Sequence, residues 1–203
     1  MIKKSVKQLG RIVFGSALMV AMVGGSGCAS FQGNRLNSVV SFPQVGVKKS
    51  VNVEFDLVCI MNGATLGISD AAKEKFANNC ISRMKASNLF GEISKTVSNP
   101  DLKLEIMMED EGAGSMGMAM LTGLTLYVIP SKVTETYRVS ATLRDSKSNK
   151  KAEIKLEDSF TQWQQILLLP LLPFKSTIAE AAKCQNKVFD NLAVEVHKTG
   201  MLN

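Results

Sequence analysis

132-KVTETYRVSATLRD-145, 146-SKSNKK-151 and 152-AEIKLEDSFTQW-163 read as strand, turn and returning strand. Val133, Tyr137, Val139, Ala141 and Leu143 mostly alternate with polar or charged neighbours, and Ile154, Leu156 and Phe160 lie on one side of the return. Alternation of period two places every second side chain on one face, the mark of a half-buried strand. The run between them has nothing apolar to bury and supplies the turn. A ribbon of two strands with one apolar face is not stable alone, so this hairpin demands a larger sheet and a second layer.

Both free ends of the hairpin enter uncharged sequence. One end is 112-GAGSMGMAMLTGLTLYVIPS-131, rich in Gly and Met at first and strand-like from Leu124 to Ile129. The other runs from Ser159 to Phe174 and finishes QQILLLPLLPF. Pro170 and Pro173 exclude a regular helix there, because proline has no amide donor and clashes with the preceding turn. Since the hairpin turns at 146–151, its free ends lie side by side. Both uncharged stretches are therefore expected at one pole, with Lys147, Lys150 and Lys151 at the other. Two readings of the stretches stand: burial against the domain's own helices, or an exposed apolar edge that meets lipid or a partner. The second rests on Leu124, Leu126, Ile129, Leu168, Leu169, Leu171 and Leu172, with Met116, Met118 and Met120 as adaptable contact or core filling.

Upstream, Val39–Val47 and Val51–Ile60 read as strands, the second with Val51, Val53, Phe55, Leu57 and Cys59 on one face. The loop 61-MNGATLGIS-69 leads to a helix over 70–87, capped by Ser69 or Asp70, with Ala72, Phe76, Ala77, Cys80, Ile81 and Met84 as its buried stripe. Glu92–Val97 and Leu102–Met108 are expected to pair around Ser98-Asn99-Pro100. A last helix runs from Thr177 to Thr199, with Thr177 and Glu180 as a capping box and Gly200 as its stop. Ile178, Ala181, Val188, Leu192 and Val196 form its core face. The expected fold is α+β, a mainly antiparallel sheet with two helices packed on one face.

The chain begins MIKKSVKQLGRIVFGSALMVAMVGGSGCAS. Lys3, Lys4, Lys7 and Arg11 precede an apolar core, Ile12–Val23, and small residues, Gly24–Gly27, lead to Cys28. Basic, then apolar, then small is the order of a secretory signal, and the core is shorter than the roughly 20 residues that cross a bilayer. The residues before Cys28 resemble the lipobox of Gram-negative bacterial lipoproteins, in which the cysteine is acylated and becomes the mature N-terminus. Gly25 departs from that pattern, where leucine is usual. Ordinary cleavage after Ala29, with Gly27 and Ala29 as the small pair, is the alternative. The resemblance implies a signal peptide at 1–27, a lipidated cysteine and short tether at 28–37, and one periplasmic domain at 38–203. Ala29, rather than an aspartate, after the cysteine implies the outer membrane. Residues 29–36 span about 28 Å at most, which holds the body close to the membrane. The segment order is also similar to that of CsgG-like and TolB N-terminal-like periplasmic domains.

Net charge is +6, from 24 basic and 18 acidic residues. Four of the basic residues and none of the acidic ones fall in 1–27, so the rest carries only +2, without the basic face a nucleic-acid binder needs. His197 is the single histidine and there is no CxxC, which leaves a zinc site without ligands. A serine or cysteine nucleophile would have to use His197, near the end of the last helix, and no GxSxG occurs. Glu109-Asp110-Glu111 read as a solvated strand end. Gly112, Gly114 and Gly117 have GxGxxG spacing, but carboxylates precede them and no following helix is expected, so a phosphate loop is rejected. Cys59, Cys80 and Cys184 allow one disulfide or three buried thiols.

No catalytic constellation and no cofactor is expected. The expected function is an accessory or assembly subunit of an envelope complex, attached through Cys28, with a protein partner and possible self-association. The alternative is a carrier or sensor of an apolar ligand such as a lipid, with 112–121 as a lid over a pocket between sheet and helices.

Overall fold

A computed structural model describes residues 28–148, 150–171 and 174–202. The signal segment 1–27 and Leu172 lie outside them. The architecture is α+β: an open, mixed sheet of seven strands, mostly antiparallel, with helices packed against it. The strands are β1 (Cys28–Gln32), β2 (Val51–Met61), β3 (Ala64–Leu66), β4 (Ile93–Ser94), β5 (Leu102–Gly114), β6 (Ser131–Asp145) and β7 (Lys151–Gln164). Their order is β1-β7-β6-β5-β2-β3, with β4 also paired to β2. The helices are α1 (Asp70–Ala86), α2 (Met116–Leu124) and α3 (Thr177–Lys198).

The hairpin forms as its alternation requires, with Val139 opposite Leu156 and Ala141 opposite Ile154. α1 packs on β2 and α3 mainly on β7, and the two helices touch, so both cover one sheet face. Val53, Leu57, Leu104, Met108, Val139, Leu143 and Phe160 from the sheet meet Met84, Val188, Phe189 and Leu192 from the helices. Fully burying each such side chain contributes about 1.5–3 kcal/mol. Ser69 caps α1, accepting from the Ala72 amide. Gly200, at φ +72°, ends α3 in the left-handed conformation that glycine adopts without steric cost.

Several expectations are corrected. Val39–Val47 is not a strand. Pro43 removes an amide donor within it, and the segment instead lays Phe42 and Val45 against the core. The stretch 61–69 holds a tight hairpin, because Asn62 and Gly63 both take positive φ (50° and 82°) and form the Asn-Gly turn that joins β2 to β3. Residues 92–97 and 102–108 do not pair with each other. β4 and β5 both run parallel to β2, one on each side. A strand that returns through a helix arrives parallel, whereas a hairpin partner would be antiparallel. β5 continues to Gly114, so 109–111 is the middle of a strand and not its end. A helix, α2, does begin at the glycines, with Gly117 in its first turn, but it leads into antiparallel β6 rather than a parallel crossover, so these glycines do not open a dinucleotide-binding unit. Leu124–Ile129 is not a strand: Leu124 ends α2, and 125–129 are turns and bends. Ser176, not Thr177, caps α3. Ile178, assigned to the core, is 86% exposed. Finally, residues 28–32, expected to begin a tether, form β1 and pair with β7. Cys59, Cys80 and Cys184 are free thiols.

Candidate functional site

The open end of the β6–β7 hairpin is the apolar pole that its topology requires. Cys28 stands opposite Gln164, and Gln164 opposite Ser131, so the acylation candidate belongs to the same rim as the two uncharged stretches. Within α2 and the turns after it, Leu124 and Leu126 are each 72% exposed, while Ile129 is half-buried. In the 3₁₀ turn Ile166–Leu171, Leu169 and Leu171 are exposed and Leu168 is half-buried. Six of the seven leucine and isoleucine positions singled out from sequence are thus gathered at one end, four of them exposed. The reading that these stretches are core fails for those four.

Exposed neighbours outside those seven positions join them. Val128, Leu167, Phe174 and Ile178 are exposed at the same pole. Phe31 and Trp163 carry lysines above their rings: Lys175 Nζ lies 5.9 Å from the Phe31 centroid and Lys132 Nζ 5.7 Å from that of Trp163. An aromatic ring with an ammonium beside it suits the boundary between lipid tails and headgroups, where an apolar body and a charged tip are both satisfied. No helix among the described residues is long and apolar enough to cross a membrane.

The Met-rich segment does not form a lid between sheet and helices. Residues 112–114 extend β5, and α2 lies toward the opposite sheet face. There a cavity of about 330 Å³ is lined by Met118, Pro130, Lys132 and Trp163, among others. The Ser115 side chain caps α2 by accepting from the Met118 amide at 3.2 Å.

Strand alternation also splits the acidic triplet. Glu111 and Glu109 face the uncovered side, where Arg138 pairs with Glu111 and Glu157 and lies 3.9 Å from Glu109. Asp110 faces the helices, and burial pushes its carboxyl up to about 6. No group of side chains among the described residues is arranged to hold a metal ion. His197 is half-buried in the last turn of α3, and its Nδ1 finds no partner among the described residues.

No protein-family model matches the chain, and no curated protein matches it. Among solved structures it is similar to a PelC variant dodecamer from Paraburkholderia phytofirmans, at 13% identity over 82% of this chain and 98% of that one, TM-score 0.35. It is also similar to a minor lipoprotein from Acinetobacter baumannii (12% identity, 77% and 91%, TM-score 0.34). A hypothetical protein from Chlamydia trachomatis matches at 12% identity over 73% and 96%, with TM-score 0.36. No functional conclusion rests on these likenesses.

Proposed function

We propose that the chain is a non-enzymatic lipoprotein, held by acylated Cys28 in the outer membrane and facing the periplasm. It serves there as an accessory or assembly subunit of an envelope complex. The observation that supports this reading is that Cys28 opens β1 at the same pole as the exposed Leu124, Leu126, Leu169 and Leu171. An acyl chain at Cys28 sets that pole against the bilayer with no slack, since pairing with β7 begins at the cysteine itself. Membrane attachment then combines acyl insertion with an apolar surface, the two-signal arrangement that gives stable anchoring.

Photo-crosslinking from position 124 in cells tests it. Lipid adducts support a pole resting on the membrane, and a single defined protein adduct identifies the complex. The absence of both, with the protein present and folded, counts against the proposal. A second reading, a carrier of an apolar ligand, is favoured by the cavity beneath Met118. At about 330 Å³ it sits at the lower end of ligand-pocket volumes. Native mass spectrometry of the detergent-extracted protein separates the two: a stoichiometric lipid beyond the acyl group supports the carrier.

A further inference from the structure

α2 (Met116–Leu124) inverts the usual surface helix. A helix at a protein surface turns an apolar stripe inward and polar side chains outward. Here the one buried residue is Thr122, while Met116, Met118, Met120, Leu121 and Leu124 are all exposed. With about 100° between successive residues, those five cover more than half of the circumference. The surrounding segment, 112–131, contains no charged residue. So much apolar surface on a helix that buries only a threonine calls for a covering medium.

The polar groups of the segment point to which medium. Each hydroxyl between 115 and 125 is turned onto backbone of the same segment. Ser115 Oγ accepts from the Met118 amide at 3.2 Å, and Thr122 Oγ1 donates to the Met118 carbonyl at 2.8 Å. Thr125 Oγ1 donates to the Leu121 carbonyl at 2.9 Å and accepts from the Ile129 amide at 3.2 Å. A helix ordinarily leaves its last carbonyls to water. Those of Leu121, Thr122 and Gly123 instead accept from the Thr125, Tyr127 and Leu126 amides. A protein partner can satisfy polar groups with its own, and protein interfaces are only about half to two-thirds apolar. Hydrocarbon offers no hydrogen bonds, so polar groups that enter it must be satisfied from within.

We propose that α2 is immersed in the hydrocarbon of one membrane leaflet, with Lys132 and Trp163 at headgroup level. Its nine residues make a helix about 14 Å long and about 10–12 Å across with side chains. One leaflet offers about 15 Å of hydrocarbon, half of about 30 Å. α2 therefore fits whether it stands or lies, and it is too short to span. Lys132 is the first charge after the segment and stands opposite Trp163 in the hairpin. An ammonium and an indole together mark the level where the hydrocarbon ends. The proposal rests on the reading of a membrane-facing pole anchored at Cys28. It adds that α2 enters the leaflet rather than resting on it.

Trp163 is the chain's single tryptophan, so fluorescence reads depth directly. The full-length protein in phosphatidylcholine vesicles is compared with Met116→Trp/Trp163→Phe and Leu121→Trp/Trp163→Phe, whose indoles lie on different sides of α2. The vesicles carry lipid brominated either at the headgroup end or at the middle of the acyl chains. Wild-type Trp163 is expected to be quenched more by the shallow bromine, and both new tryptophans at least twofold more by the deep one. Ala119 is exposed, so Ala119→Asp is expected to fold. Added to Leu121→Trp/Trp163→Phe, it should cancel the deep preference while attachment through Cys28 is kept. The proposal is overturned by shallow quenching at both new positions, or by deep quenching at only one, which is adsorption along a single face. Protection from aqueous iodide without quenching by either lipid also overturns it, since a second copy or another protein then covers α2. So does deep quenching that survives Ala119→Asp. Vesicle binding of residues 28–203 carrying Cys28→Ser reports on the pole itself. Binding without deep quenching overturns immersion and leaves the membrane-facing pole standing; loss of both overturns both.

Discussion

The Ile166 amide donates to the Tyr127 carbonyl at 2.9 Å. That bond joins the two uncharged stretches, 112–131 and 159–174, and makes one surface of two segments far apart in sequence. Its exposed leucines make no contribution to the core, so they can be changed without a folding penalty beyond about 0.5 kcal/mol. Leu124→Asp/Leu169→Asp is expected to lower vesicle binding of residues 28–203 carrying Cys28→Ser by tenfold or more. The estimate takes about 1–2 kcal/mol of lost transfer energy per leucine. Flotation with vesicles measures binding, and urea denaturation confirms that the variant folds. Unchanged flotation would remove the pole from the account of attachment.

Leu126 and Tyr127 both hold left-handed backbone, at φ 51° and 64°, a conformation that costs a bulky residue roughly 1–2 kcal/mol. Leu126 is nevertheless a large apolar side chain exposed to solvent. Leu126→Gly should therefore leave stability equal or higher while weakening vesicle binding. If binding is unaffected, the leucine has no role at the surface.

Labelling with an alkyne fatty acid reports on Cys28. The wild type is expected to label, and Cys28→Ser is not. Label retained in the variant, or absent from the wild type, excludes acylation at this residue.

Lys187 on α3 reaches Asp158 on β7, Nζ to Oδ2 at 2.7 Å, with both side chains almost wholly buried. The contact is an ion pair rather than an aligned hydrogen bond, since Oδ2 has no hydrogen-bond partner. Asp158 Oδ1 accepts from the Arg35 amide at 3.0 Å, and Lys187 Nζ donates to Asn34 Oδ1 at 3.3 Å. The pair thus fastens the chain leaving β1 to the body. Lys187→Met strands a buried carboxylate and should cost about 3–5 kcal/mol in urea denaturation. Adding Asp158→Asn should recover part of that loss, and an additive double variant would refute the coupling.

The partly buried carboxylates set a pH dependence. Burial raises Asp110 to about 6 from 3.8, and burial followed by the charge of Asp110 raises Glu135. A raised carboxyl holds its proton more tightly in the folded state. Its contribution to stability is full below about pH 4 and is lost as pH rises through about 6. Asp56, Asp101, Asp145 and Glu153 are lowered by their hydrogen bonds and act in the opposite sense at lower pH. The comparison is therefore made against Asp110→Asn, which should be more stable than wild type at pH 7 by on the order of 1–2 kcal/mol after solvent screening. The advantage should vanish near pH 4, as read by thermal unfolding across that range.

Much of this fold was legible in local pattern. The hairpin of β6 and β7, the stripe of α1 and the stop of α3 follow from periodicity and from residues whose backbone preferences are strong, although the cap of α3 fell one residue earlier, on Ser176. The shared pole followed too, because a hairpin must bring its two ends together. Partnership was not legible. Val39–Val47 has strand-like residues but no strand to pair with, and alternation cannot say which neighbour a strand will find. Whether β4 and β5 pair with each other or flank β2 depends on the path of α1 across the sheet. Strand pairing starting at Cys28, so that the acylation candidate joins the apolar rim directly, depends on a contact with residues 160–164. The same holds for the acidic triplet. Three consecutive carboxylates look alike in sequence, and only the sheet, by turning Asp110 toward the helices beside Tyr137 and Glu135 while its neighbours meet Arg138, separates a partly buried carboxyl without an ion pair from two that face a guanidinium.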